Sequence, residues 1–154
     1  MLRDIINLLK KDDLQSQALA ECHEMLGMCE EMVPTCVETL RRQDDASLDI
    51  DILTMDKKLN AFERDVRRKV MTHLSLGNNA DLTAGLVLIS IVIDIERIGD
   101  YSKNIYDLAQ IHPARLDGGP LEDELQQLER ESLDILSKAS RSFREGRVRR
   151  LHWQ

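Results

Sequence analysis

Glu96, Asp100, Asn104 and Asp107 follow one another at spacings of four, four and three. At about 100° of turn per residue they share one narrow helical stripe, nearly opposite Ile91, Ile95, Ile98 and Ile105. Such a helix would bury its isoleucines and present oxygen ligands on the other side. Carboxylates four apart repel by a few tenths of a kcal/mol, a cost that Arg97 or a bridging cation could offset. All-oxygen donors suit hard cations such as magnesium, calcium, manganese or iron. A second set, Asp56, Asn60 and Glu63, also shares one helical stripe. Gly99 stands inside the first set, where a helical glycine costs about 1 kcal/mol against alanine and so signals close approach of something.

The elements that must carry these residues are helices. The chain of 154 residues is 42% hydrophobic and 32% charged, with three Pro and five aromatic residues, and lacks the turn clusters that short strands require. Its length suits one domain, residues 1–154. Residues 1–11 read as a short amphipathic lead-in, with Asp12 or Asp13 capping a helix that reaches about Leu40, bent at Pro34. The polar stretch RRQDDAS precedes a second helix from about 47 to 75, whose apolar positions Ile52, Met55, Leu59, Phe62, Val66 and Val70 repeat at threes and fours. Gly77, Asn78 and Asn79 stop it, and Asp81 starts a third helix that continues past Ile105. Pro120 at a first helical position, with Glu122 and Asp123 in the first turn, opens a fourth helix to about 146. The expected fold is an all-α, antiparallel up-and-down bundle. If the hairpin turns near residue 78, the second and third helices pair positions whose numbers sum to about 156. Asp56 is then level with Asp100, and Asn60 with Glu96.

Other function classes find less support. A net charge of −7 speaks against nucleic-acid binding, which needs a cationic surface. The longest uncharged apolar run, 84–93, is too short to span a bilayer, and the N-terminal stretch is no secretory signal. A cytoplasmic polypeptide is expected, reaching a membrane only through a partner. Cys22, Cys29 and Cys36 are seven apart, so helical neighbours lie about 10 Å from each other and cannot bridge. With Met25 and Met32 they form a core stripe that could also serve self-association into a homo-oligomer. None of His23, His73, His112 and His152 has Glu three residues before it, as a ferritin-like di-iron site requires. No phosphate loop or nucleophile with its base is present, so no enzyme is expected. The basic tail REGRVRRLHWQ suits a helix C-terminus without further function.

The run DIERIGDYSKNIYDLA, 94–109, resembles the signature of PhoU, the phosphate-uptake regulator family, and MDKKLNAFERDV, 55–66, is similar to that family's second-helix pattern. The resemblance covers residues 46–112. It implies a three-helix repeat with acidic pairs four apart on two helices, holding a divalent or iron-type metal cluster at the bundle surface. Glu96 and Asp100 match one pair, and Asp56 leads the other. Asn60 stands where the family has Asp, which implies fewer metals or lower affinity, and Asn104 extends the ligand stripe. Thr83 replaces an Arg common in the family. The resemblance further implies a regulator that docks on a phosphate transporter or a phosphate-sensing kinase. Alternatives are the soluble domain of a sodium-phosphate cotransporter and a metal-free interaction module. The fourth helix is similar to the opening helix of a second repeat.

Overall fold

The computed structural model describes residues 2–44, 50–76, 82–112 and 114–146, with side chains from Leu14 onward. Four α-helices follow in order: α1, Leu2–Arg42; α2, Ile52–Leu76; α3, Leu82–Ile111; and α4, Glu122–Arg144. Among the described residues there is no strand, and no helix is long and apolar enough to cross a membrane. The helices run alternately up and down, as the patterning predicts.

The boundaries differ from the sequence reading in three places. Asp12 and Asp13 do not start a helix: α1 is continuous from Leu2 to Arg42 and carries Pro34 within it. A capping aspartate competes with the backbone only where the chain actually turns, and helix-forming neighbours on both sides keep it straight on here. The second helix starts at Ile52, not near 47, because Asp51 caps it: its Oδ1 accepts from Thr54 N at 3.0 Å and its Oδ2 from Thr54 Oγ1 at 2.6 Å. Pro120 lies in a single 3-10 turn, Gly119–Leu121, that leads into α4, and α4 ends at Arg144. The stop signals at 77–79, the start at Asp81, the lead-in side chains and most of the basic tail lie outside the described residues.

Each of the first three helices contributes an apolar stripe at near-heptad spacing to one core. Cys22, Met25, Cys29, Met32 and Cys36 of α1 are fully buried against Leu59, Val66 and Val70 of α2 and Val92 and Ile95 of α3. The Cys/Met stripe is therefore interior packing. Cys29 Sγ donates to the Ile95 carbonyl at 3.4 Å, and all three thiols are free. Burial pushes each thiol up to about 12. Since the thiolate is the reactive form, the folded protein should react with a disulfide reagent about a thousandfold more slowly than a free thiol. Three equivalents should appear on unfolding; a fast equivalent in the native state would contradict this packing.

α4 is arranged differently: it packs along α1, antiparallel to it. Two polar clasps hold it. At one end the Arg41 side chain, 6% exposed, donates from Nε to Glu129 at 2.5 Å, from Nη2 to Glu122 at 2.6 Å and from Nη1 to the Leu116 carbonyl. Leu116 N donates to the Leu40 carbonyl at 2.8 Å, tying the incoming loop to the end of α1. At the other end Arg144 pairs with Glu30 at 2.6 Å, and Phe143 packs edge-on against His23, with ring centroids 5.3 Å apart.

Candidate functional site

α2 and α3 lie so close that a Cβ built on Gly99 would overlap Leu59 Cδ1, and one built on Gly85 would lie 3.0 Å from Leu74 Cδ1 and 3.1 Å from Val70 Cγ1. These contacts place the helices in the register expected for a hairpin turning near residue 78. They also account for Gly99: what approaches it is the buried Leu59 side chain. The glycine marks packing, not a ligand.

The same register brings the two acidic stripes together. Asp56 of α2 and Asp100 of α3 lie close enough for the charge of one to act on the carboxyl of the other. Burial, then the charge of Asp100, holds the Asp56 carboxyl above the usual carboxylate range, while Lys103 pulls the other way. Glu96 is also held up, first by burial, then by the charges of Asp100, Glu63 and Asp56, with Arg97 a weak opposing influence. Asp56, Glu96 and Asp100 thus form one electrostatic unit, with Glu63 at its edge.

The remaining expected ligands are less engaged. Asn60 Nδ2 donates to the Asp56 carbonyl at 3.1 Å, which ties its side chain to its own helix. Asn104 is exposed one turn beyond Asp100. Asp107 pairs with Lys103 at 3.5 Å, and Glu63 with Arg67 at 2.8 Å. Arg97 lies 4.0 Å from Asp94, so it does little to neutralise the Glu96–Asp100 pair. Lys103 is the residue the carboxylate pattern overlooks. Its spacing of four to Asp107 was the available signal.

The sign of the pH effect follows from the direction of these shifts. A carboxyl that is held up binds its proton more tightly in the folded chain than in the unfolded one. The resulting stabilisation is complete below the ordinary carboxylate range and is lost as pH rises through the raised values. At neutral pH the ionised group is a net cost. The donor atoms are all oxygens, the donor type that hard cations take. Among the described residues no three His, Cys, Asp or Glu side chains converge on one point.

A family model described as the PhoU domain matches residues 22–109, a segment that includes α2, nearly all of α3 and both acidic stripes. No curated protein and no solved structure matches the chain.

Proposed function

The chain belongs to the PhoU domain family, and from that premise we propose that it is a non-catalytic regulator of phosphate transport or signalling. It works in the cytoplasm, docking on a phosphate transporter or a phosphate-sensing kinase. The observation that carries this reading is the match of residues 22–109 to the PhoU domain, a segment in which the charges of Asp56, Glu96 and Asp100 act on one another across α2 and α3. Asp56 and Asp100 would hold a divalent cation, with Glu96 adding negative charge. Such an ion supplies a positive centre that can recruit phosphate or a partner's carboxylate. Asn60 adds a neutral oxygen where a second carboxylate would strengthen the site, so affinity is expected to be modest.

Neutralising the pair tests this. In metal-free protein, Asp56→Asn/Asp100→Asn should stabilise the fold at neutral pH by about 0.5 kcal/mol, or 1–2 °C in Tm. The double variant should also lose the rise in Tm that magnesium or manganese gives the wild type. Elemental mass spectrometry of protein purified without chelator should find metal in the wild type alone. Tagged wild-type chain should co-purify with a phosphate transporter or its sensor kinase from phosphate-replete cells. Failure to recover either protein would sink the regulatory reading, whatever the metal result.

A further inference from the structure

Arg42 and Arg115 reach one cavity from two elements. Arg42 ends α1, and Arg115 lies in the loop between α3 and α4, which the bond from Leu116 N to the Leu40 carbonyl pins to the end of α1. Both side chains are exposed and line a cavity of about 290 Å³. Among the described residues neither guanidinium has an ion pair or a hydrogen bond. An arginine in the last turn of a helix is ordinary. A second one brought to the same cavity by the loop is not, because the two charges repel unless something negative lies between them.

The cavity is lined by as many carboxylates as arginines, but the carboxylates already have their donors. Glu122 and Glu129 accept from Arg41, Glu122 also from the Gly118 amide and Gln126, and Asp117 from the Gly119 amide at 2.7 Å. The groups left unspent at the opening are the guanidiniums of Arg42 and Arg115. Each is a planar fork of N–H donors that fits two oxygens of one oxyanion. Two forks from different sides match a group with three charged oxygens better than a flat carboxylate with two. We propose that this cavity binds the phosphate group of a small molecule, held between Arg42 and Arg115. Its volume approaches the roughly 300 Å³ at which small-molecule sites begin, so the phosphate has room for an organic substituent. Bound there, it would tie the end of α1 to the loop that leads into α4, beside the Arg41 clasp. None of the cavity's residues belongs to the acidic face of α2 and α3, so the site stands or falls separately from the metal reading.

Isothermal titration calorimetry in metal-free buffer tests the proposal, because no cation on the acidic face is then present to recruit the anion. Inorganic phosphate and glycerol phosphate should both bind, more weakly as salt is added, and the tighter of the two tells whether the site takes free phosphate or an organic ester. Succinate, with its two charges on separate carboxylates, should bind about tenfold more weakly. Arg42→Gln and Arg115→Gln should each lower phosphate affinity about tenfold with helicity unchanged, since neither side chain is bonded within the fold. Arg115→Lys should recover only part of the loss, because a point charge does not replace the fork. Asp56→Asn/Asp100→Asn should bind phosphate as the wild type does. In hydrogen exchange, phosphate should raise the protection of α4 and the loop before it in the wild type and not in Arg42→Gln/Arg115→Gln. Absence of binding by both phosphates, succinate binding as tight as phosphate, or arginine variants of unchanged affinity would each overturn the proposal.

Discussion

Gly99→Leu is expected to lower stability by about 3 kcal/mol, a drop of roughly 6–12 °C in Tm for a chain of this size. The backbone of α3 passes Leu59 so closely that even a methyl group at 99 would displace Cδ1, the far end of a fully buried side chain. Gly99→Ala should be far milder, because a gain of about 1 kcal/mol in helix propensity offsets much of the crowding. The larger side chain adds three more carbons to a filled space. Leu59→Ala alone should cost about 2–5 kcal/mol by opening a cavity. Combined with Gly99→Leu it should cost less than the two singles together, with a coupling above about 1 kcal/mol, since each change then supplies what the other lacks. Strict additivity in denaturant unfolding would mean that the two positions are not in contact. The variant also reaches the acidic face. Asp100 is the next residue, so pushing α3 from α2 should separate it from Asp56 and reduce the response of Tm to magnesium.

Much of this geometry was legible in the chain because it depends on local spacing. Threes and fours in Ile52, Met55, Leu59, Phe62, Val66 and Val70 specify the face of α2 that packs on the core, and the heptad of Cys22, Cys29 and Cys36 does the same for α1. Once two helices are joined by a short loop, the loop's position sets their register, and the pairing of Asp56 with Asp100 follows. What was not legible depends on comparing alternatives that look alike locally. Asp51 and Asp12 are both plausible caps, and only Asp51 stands where the chain turns, so Thr54 can complete its bonds. The engagement of Asn60 with its own helix rather than with Glu96 depends on side-chain rotation, which spacing does not constrain. Gly99 announced a close approach without saying by what, and a packed leucine answers it as well as a ligand would. For α4 the periodicity identifies an apolar face but not which helix receives it, and that face turns out to be wider than α1 can cover.

Arg41→Leu is expected to cost about 3 kcal/mol, and the loss should fall on α4. The guanidinium is nearly buried and satisfies Glu129, Glu122 and the Leu116 carbonyl together. Removing it strands Glu129, whose side chain is only 12% exposed, beside an apolar substitute. Because α4 packs along α1, the core of α1, α2 and α3 does not depend on this clasp. Hydrogen exchange should therefore show protection falling across α4 and the loop before it, with α2 and α3 nearly unchanged. Arg41→Lys should recover only part of the loss, since a point charge cannot serve two carboxylates and a carbonyl as a planar fork does. The pH dependence gives an independent check. Arg41 first, then Gln126 and the Gly118 amide, hold the Glu122 carboxyl down at about 2 from an ordinary 4.5. The stabilisation from a depressed carboxyl is present above its ordinary value and is lost as pH falls toward the depressed one. In the wild type, then, α4 protection should decline between about pH 4.5 and 2. In Arg41→Leu that decline should shrink, because the Gln126 and Gly118 donors that remain hold Glu122 down less than they do together with Arg41. Equal loss of protection in all four helices at every pH would show that the clasp supports the whole bundle, and α4 could not then be treated as a separately docked helix.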